Sequence, residues 1–363
     1  MIAAHDVAPA HLPDTTPPEP QVLFELVEVE KVFMVRKPGS LFGGAKVGLP
    51  ALDGVRLKIR KGASVALVGE SGSGKSTLLR VLLGLTRPTQ GHALYQGRPI
   101  DQVRAEGPAF ARQVAMIYQD ARGSLNPRMT IAALIAEPLR HFRICPEADI
   151  PDRVHSLLAR VGLPAEVADR YPAAMSGGQV RRVAIARALA SEPTVLVADE
   201  AVSGLDVSTQ AQLLNLLRRL QRDMALTLVF ITHDLGVASY LCEEIAIMYL
   251  GRIVETGPTN AVLTAPAHPY ARALRRAAPE FFAPISDPLP GEIPSPLDLP
   301  TGCRFSGRCD VAQADCHLSD PALVRLGGGA SDRAAACFHP LLPDANTDLG
   351  HTTATHLKRD IHA

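Results

Sequence analysis

Gly69-Glu70-Ser71-Gly72-Ser73-Gly74-Lys75-Ser76-Thr77 lies between two apolar runs of different character. Ahead of it, Ser64-Val65-Ala66-Leu67-Val68 is short and β-branched, which predicts a buried strand. Behind it, Leu78-Leu79-Arg80-Val81-Leu82-Leu83 predicts a helix. Strand, glycine-rich loop and helix make the setting of a phosphate-binding loop. Glycines let the backbone curl so that several N–H groups face phosphate oxygens, and the helix N-terminus adds partial positive charge. Lys75 is placed to reach the β- and γ-phosphates, and the Ser76 hydroxyl to ligate Mg²⁺. The full G-x-x-x-x-G-K-S match in this context separates the stretch from a chance glycine-rich turn, so residues Gly69 to Thr77 are nucleotide-binding candidates.

A chain of 363 residues has room for one large domain with an appendage, or for two domains. Lys and Arg number 37, as do Asp and Glu, so net charge gives no argument for nucleic acid or an anionic membrane surface as partner. No apolar run reaches the roughly 18–20 residues that a membrane helix requires. Residues 1–21, rich in Ala and Pro, lack the basic start and apolar core of a signal peptide and are expected to be a disordered leader. Six cysteines without an export signal point to reduced thiols or a metal site in the cytosol rather than disulfides.

Alternation from Val22 to Val35 predicts an opening strand, and the glycine-rich Pro38–Pro50 segment a loop at a long hairpin tip. Ala51–Ile59 alternates again, and His92–Tyr95 with Gln96-Gly97 predicts a hairpin. Gln113–Tyr118, Thr194–Ala198 and Leu226–Ile231 read as further strands. Between Met129 and Gly162 the spacing turns helical, which suggests a small helical insertion. Strands alternating with helices argue for a parallel α/β core. From Phe281 onward prolines crowd together (Pro284, Pro288, Pro290, Pro294, Pro296, Pro300), and an irregular C-terminal extension is expected there.

Asp199-Glu200 closes a buried apolar run. Asp199 would hold Mg²⁺ directly or through water, and Glu200 would polarise the water attacking the γ-phosphate. Two acids in an exposed turn would look the same alone, but a phosphate loop earlier in the chain favours the catalytic reading. Met175-Ser176-Gly177-Gly178-Gln179 precedes a helical run, so its exposed N–H groups make either a second anion site or a plain capping turn. A chain with its own phosphate loop would use a second anion site in trans, on nucleotide held by a partner.

Together with Gln119, Ser203-Gly204-Leu205-Asp206 and His233, these motifs resemble the ATP-binding cassette (ABC) family in content and order, over roughly residues 22–277. The resemblance implies a P-loop cassette of α/β class: a RecA-like parallel core, an antiparallel β subdomain and a helical subdomain. It implies that two cassettes close head-to-tail on two ATP molecules. By the same resemblance Phe33 stacks on adenine, Gln119 senses Mg²⁺ and the membrane partner, His233 contacts the γ-phosphate, and Asp206 lies at the dimer interface. Ser176, Gly177, Gly178 and Gln179 complete the partner's site. The corresponding divisions are residues 22–280 for the cassette, with the helical subdomain at about 124–180, then 281–343 for the extension and 344–363 for a flexible tail.

The stretches Gln119–Met129 and Leu205–Gln212, His268-Pro269-Tyr270 and Gly291–Pro296 are similar to dipeptide and oligopeptide importers. Ala201, Ala174 and Val180 depart from residues common in the family (Pro, Glu and Arg). None of them is a phosphate or metal ligand, so altered rate or coupling is expected rather than a dead site.

Cys303, Cys309, Cys316 and Cys337 follow the spacing C-x5-C-x6-C-x20-C. Four thiolates among irregular loops suit a tetrahedral zinc or an iron–sulfur cluster, although the C-x2-C clips usual for structural zinc are missing. Some peptide-importer cassettes carry a [4Fe–4S] cluster on a similar quartet, and the resemblance tilts the choice that way. Free thiols are the other possibility. Cys145 and Cys242 read as small apolar residues.

The expected protein is the ATPase subunit of a bacterial peptide importer, peripheral on the cytoplasmic face of the membrane. It would use ATP and Mg²⁺, bind permease subunits and a second cassette, and be served indirectly by a solute-binding protein. Competing readings are a nickel-importer ATPase, an assembly ATPase of a carbon–phosphorus lyase complex, and a non-transport ABC ATPase acting on nucleic acid or ribosomes. The last class usually has paired cassettes, a coiled coil or a strongly basic surface.

Overall fold

In the computed structural model the described residues are 21–36, 46–278, 291–327 and 332–341. In chain order the strands are β1 Val22–Arg36, β2 Lys46–Arg60, β3 Ser64–Val68, β4 Gln90–Tyr95, β5 Arg98–Pro99, β6 Val114–Ile117, β7 Val195–Asp199, β8 Thr227–Thr232, β9 Glu244–Tyr249, β10 Arg252–Pro258, β11 Val324–Arg325 and β12 Ala334–Ala335. The helices are α1 Lys75–Leu82, α2 Ile100–Ala105, α3 Ala109–Gln113, α4 Ile131–His141, α5 Ile150–Arg160, α6 Gly177–Leu189, α7 Val207–Asp223, α8 Leu235–Leu241, α9 Thr259–Thr264 and α10 Pro269–Ala277.

The β-branched runs become the centre of an eight-stranded sheet of order β11-β12-β10-β9-β3-β8-β7-β6. Strands β9, β3, β8, β7 and β6 run parallel to one another, while β10 pairs with β9 antiparallel. Both faces of these strands are covered, as parallel sheets require. Alternate side chains feed two cores: Ala66, Val68, Leu196 and Ala198 pack with the helical segment, while Val65, Leu67, Val195 and Val197 pack against α1 and a second sheet. That second sheet is antiparallel, of order β2-β1-β4-β5. Because the central strands run in parallel, the chain leaves β3, β6, β7 and β8 at one common edge. The phosphate loop, Gln119, Asp199-Glu200 and His233 all follow from that edge, which is where open α/β sheets bind ligands.

Two expectations need correction. The Pro38–Pro50 segment is not wholly a loop: β2 begins at Lys46, and Leu49 and Pro50 face Phe33 and Val32 across the ladder. Residues 37–45 lie outside the described residues. Pro50 fits because β2 is an edge strand and the register shifts between Lys31 and Val32, so no ladder donor is lost. The C-terminal extension is not wholly irregular either. Ala334–Ala335 pairs with Thr256 and Glu255 of β10, adding β12 to the main sheet, and β11 pairs with β12. Phe305 is 2 % exposed and packs with Tyr249 and Tyr270, so this segment gains order from apolar burial. A buried ion pair helps: Glu255, 0 % exposed, accepts from Arg333 and from the backbone N–H groups of Ala267 and His268.

The leader, the prolines at 284, 288 and 290, and the tail from 344 lie outside the described residues. Among those described, no helix is long and apolar enough to cross a membrane.

Candidate functional site

The phosphate loop owes its shape to what its glycines permit. A side chain at Gly69 would strike the Met248 carbonyl, and one at Gly74 the Ala51 carbonyl. Gly72 and Gly74 also sit at φ 79° and 102°, a region that costs other residues energy. Gly74 leads into α1, whose first residue is Lys75. The buried Lys75 ammonium donates to the Gly69 carbonyl at 2.7 Å, the Glu70 carbonyl at 2.9 Å and the Ser73 hydroxyl at 3.3 Å. Burial holds its pKa below the usual lysine value, and the nearby carboxylates of Glu200, Asp199 and Glu70 oppose that shift. A cation in reserve at the mouth of a helix is suited to a polyphosphate.

Over this loop opens a cavity of about 580 Å³, the size of a nucleotide site. Its walls bring together Phe33, Ser71 to Thr77, Gln119, Asp199, Glu200 and His233, residues drawn from five separate stretches of chain. Gly69 and Glu70 lie behind the loop rather than in the wall. Asp199 ends β7, and its pKa is raised by burial first and by the Glu200 charge second, against the pull of Lys75 and Arg80. Mg²⁺ would relieve both causes, and Asp199, Ser76 and Gln119 are the oxygen donors that fit it. Glu200 has φ 43°, and its bent backbone is held by an N–H bond to the Ile231 carbonyl and by Ser203 on its own carbonyl. Its carboxylate accepts from the Gln119 amide at 2.7 Å and lies 3.2 Å from His233 Nδ1. Carboxylate, amide and imidazole therefore converge on the phosphate-loop side of the cavity.

Ser176 caps α6. Its hydroxyl accepts from Gln179 N–H at 3.3 Å while the Gln179 side chain accepts from Ser176 N–H at 3.1 Å, a reciprocal capping box. Arg122 donates to the Pro172 and Met175 carbonyls just ahead, fixing this turn to the Gln119 segment. A side chain at Gly178 would strike Thr209 on α7. Among the described residues, none of Ser176, Gly177, Gly178, Gln179 or Asp206 lines the chain's own nucleotide cavity. Asp206 caps α7 instead, accepting from Thr209 N–H at 2.9 Å. The Ser176 turn and the phosphate loop of one chain thus do not meet.

The four C-terminal cysteines do meet. Cys303, Cys309, Cys316 and Cys337 line one small cavity behind Phe305, and the Cys303 N–H bonds the Cys316 carbonyl at 2.7 Å. Burial pushes the Cys303 thiol up to about 11 and raises Cys309 and Cys337 as well, an environment in which bare thiols stay protonated. Among the described residues, Asp315, Cys316 and His339 bring ligand atoms within 4.8 Å of one another, and no three of the cysteines do. Cys242 is buried in the core and Cys145 half-buried.

Three participants escape the sequence motifs. Pro296 reaches the nucleotide cavity from the extension. The Tyr270 hydroxyl accepts the Glu70 N–H at 3.0 Å, and Arg308 grips the Glu70 carboxylate. Tyr270 and Pro296 lie in stretches whose likeness to peptide importers was visible, but no local pattern aims them at the loop.

Comparison with known proteins agrees with this geometry. The ABC transporter family matches residues 52–203, and the family described as oligopeptide/dipeptide transporter, C-terminal region, matches residues 254–316. A probable peptide ABC transporter ATP-binding protein of Sinorhizobium fredii is 44 % identical over 81 % of this chain and 85 % of its own length. The oligopeptide transport ATP-binding protein OppF of Escherichia coli is 41 % identical over 84 % of this chain and 93 % of its own. Among solved structures, cbiO1 of Clostridium perfringens, part of an ABC transporter complex, superimposes with a TM-score of 0.57 at 27 % identity, covering 67 % of this chain and 91 % of that one. A dimeric ATP-binding cassette in a post-hydrolysis state, bound to ADP and Pi, gives 0.56 at 28 % identity, covering 65 % and 99 %.

Proposed function

The chain belongs to the ABC transporter family of ATP-binding subunits, and on that premise we propose that it hydrolyses ATP to drive a bacterial importer of dipeptides or oligopeptides. The observation that carries the ATPase is Glu200 standing between Gln119 and His233, over a phosphate loop with Lys75 in reserve. The observation that carries peptide import is the C-terminal region, which matches the oligopeptide/dipeptide transporter family and is docked on the cassette core.

In this reading the loop N–H groups and Lys75 bind the β- and γ-phosphates, and Phe33 takes the adenine. Ser76, Asp199 and Gln119 would hold Mg²⁺, which when bound would neutralise charge on the phosphates. Glu200 orients water toward the γ-phosphate, with His233 on the phosphate and against the carboxylate. The Ser176–Gln179 turn and Asp206 face the nucleotide of a second cassette, because neither reaches the chain's own cavity. Residues 22–280 form the cassette, and 281–343 the extension.

Next to Gln119 lies an apolar groove of about 510 Å³, floored by Leu85, Phe110, Met116, Tyr118, Leu125 and Phe142. Leu85 and Tyr118 are each about half exposed, at 54 % and 48 %, and add apolar surface to the groove. A helix of a permease subunit fits this groove and would report through Tyr118 to Gln119. The protein would then sit peripherally on the cytoplasmic face of the membrane, with a solute-binding protein delivering peptide on the other side.

The cysteine quartet would hold a [4Fe–4S] cluster. Its thiols line one cavity, and a cluster would supply a covalent cross-link for the extension.

The test is steady-state ATP hydrolysis by the purified complex of permease, cassettes and binding protein. Addition of peptide should stimulate hydrolysis several-fold. A complex that hydrolyses ATP with no response to any peptide would remove peptide import and leave the ATPase.

A further inference from the structure

Glu70 is an acid inside a loop built to hold a polyanion, and its charge should oppose ATP unless something cancels it. That something comes from 238 positions away in the chain. Arg308 donates from one terminal nitrogen to Glu70 Oε2 at 2.8 Å and from the other to Oε1 at 3.1 Å, a fork-on-fork pair of the strong kind. Its side chain is only 4 % exposed, against 23 % for Glu70. The guanidinium lies 5.8 Å from the Tyr249 ring centre and 5.9 Å from that of Phe305, and donates to the Tyr249 hydroxyl at 3.3 Å.

Glu70 is thereby held at three points. Tyr270 takes its N–H, Lys75 donates to its carbonyl, and Arg308 takes its carboxylate. Arg308 sits immediately before Cys309, and Phe305 two residues after Cys303. The cysteine-bearing segment is therefore wired to the back of the phosphate loop by one buried ion pair.

We propose that Arg308 is a positioning residue for ATP: it neutralises Glu70 and fixes the loop in its binding shape, so the cysteine-bearing segment sets the ATP affinity of the site. This rests on the ATP-site reading above and adds to it a control point outside the nucleotide cavity.

The experiment is a double-mutant cycle in the full-length chain within its transporter complex, reading KM for ATP and kcat separately. Arg308→Ala should raise KM about 10-fold with kcat within about 2-fold, as expected for loss of a charged hydrogen-bonding partner that acts on binding. Arg308→Lys should recover part of the loss. In a Glu70→Gln background the Arg308→Ala effect should shrink below about 2-fold, because no charge is left to neutralise. An equal KM increase in both backgrounds would mean that Arg308 acts through general packing, and a fall in kcat at constant KM would place it elsewhere; either overturns the proposal. Should Arg308→Ala fail to assemble, Arg308→Lys measured in both backgrounds gives the same cycle. Lys75→Ala, run alongside, separates the two readings: full turnover in that variant would displace the nucleotide site itself, whereas an inactive Lys75→Ala with an uncoupled cycle sinks only the role of Arg308.

Discussion

Gln119 and Glu200 are joined by a 2.7 Å hydrogen bond, the side-chain amide donating to the carboxylate, and His233 lies 3.2 Å from the other carboxylate oxygen. Both oxygens of the candidate base are therefore engaged. In the proposed mechanism, Mg²⁺ would compete with Glu200 for Gln119, so binding of the metal would free one oxygen of the carboxylate. Gln119 follows Tyr118, which lies in the groove proposed above for a permease helix, so a partner seated there would lie one residue from this contact.

Glu200→Gln keeps the shape and loses the charge that orients water. The variant should bind ATP normally, hydrolyse it at least about 10²-fold more slowly, and accumulate as a closed pair of cassettes. Nucleotide binding, turnover and light scattering in Mg·ATP measure the three effects. Unchanged turnover would remove Glu200 from catalysis.

Ser176→Arg tests use of the α6 turn in trans. Ser176 is absent from its own chain's nucleotide cavity, so the variant should retain ATP binding as a single cassette. Hydrolysis should fall by about 10²-fold or more, since an added bulky cation blocks closure on the partner's phosphate. Loss of ATP binding by the isolated variant would show that Ser176 serves its own site.

Asp199→Asn separates stability from function by pH. Burial and the Glu200 charge raise the folded-state pKa of Asp199, so its ionised form is less favourable in the folded chain than in the unfolded one. The cost is absent at low pH, where the carboxyl is protonated in both states. It appears as pH rises through the unfolded value near ~4 and is complete above the folded value. Nucleotide-free Asp199→Asn should therefore melt above the parent protein at pH 7, with the gain fading toward pH 4. Its added stability from Mg·ATP should be much reduced. A lower melting temperature at pH 7 would contradict the sign.

The phosphate loop, the strand before it and the acids ending β7 were legible because short-range chemistry dictates them. Gly72 and Gly74 need positive φ, and β-branched runs need cover on both faces. Strand β2 was misread at its start because Gly48 and Pro50 carry a turn signal, and only the edge position of the strand makes them tolerable. Arg308 was illegible for a different reason. Its partner is Glu70, and no local pattern announces a contact across 238 positions. The same holds for β12, two alanines that become a strand only because β10 offers an open edge.

The cysteine quartet makes a further, independent prediction. Protein purified without oxygen should be brown, absorb broadly near ~400 nm and hold about four iron atoms per chain. Changing Cys303, Cys309, Cys316 or Cys337 to Ser should discharge the colour, while Cys145→Ser and Cys242→Ser should keep it. Colourless protein with one zinc would make it a zinc site, and metal-free protein would leave four thiols.

The most direct test of the account is uptake of labelled peptide by vesicles that carry the complete complex with Mg·ATP supplied on the side of the cassettes. Wild-type complex should accumulate di- or oligopeptide with ATP and stop without it, and complexes carrying Lys75→Ala should fail to accumulate peptide. Peptide uptake that proceeds unchanged in the Lys75→Ala complex, or a wild-type complex that hydrolyses ATP and moves no peptide, would contradict it.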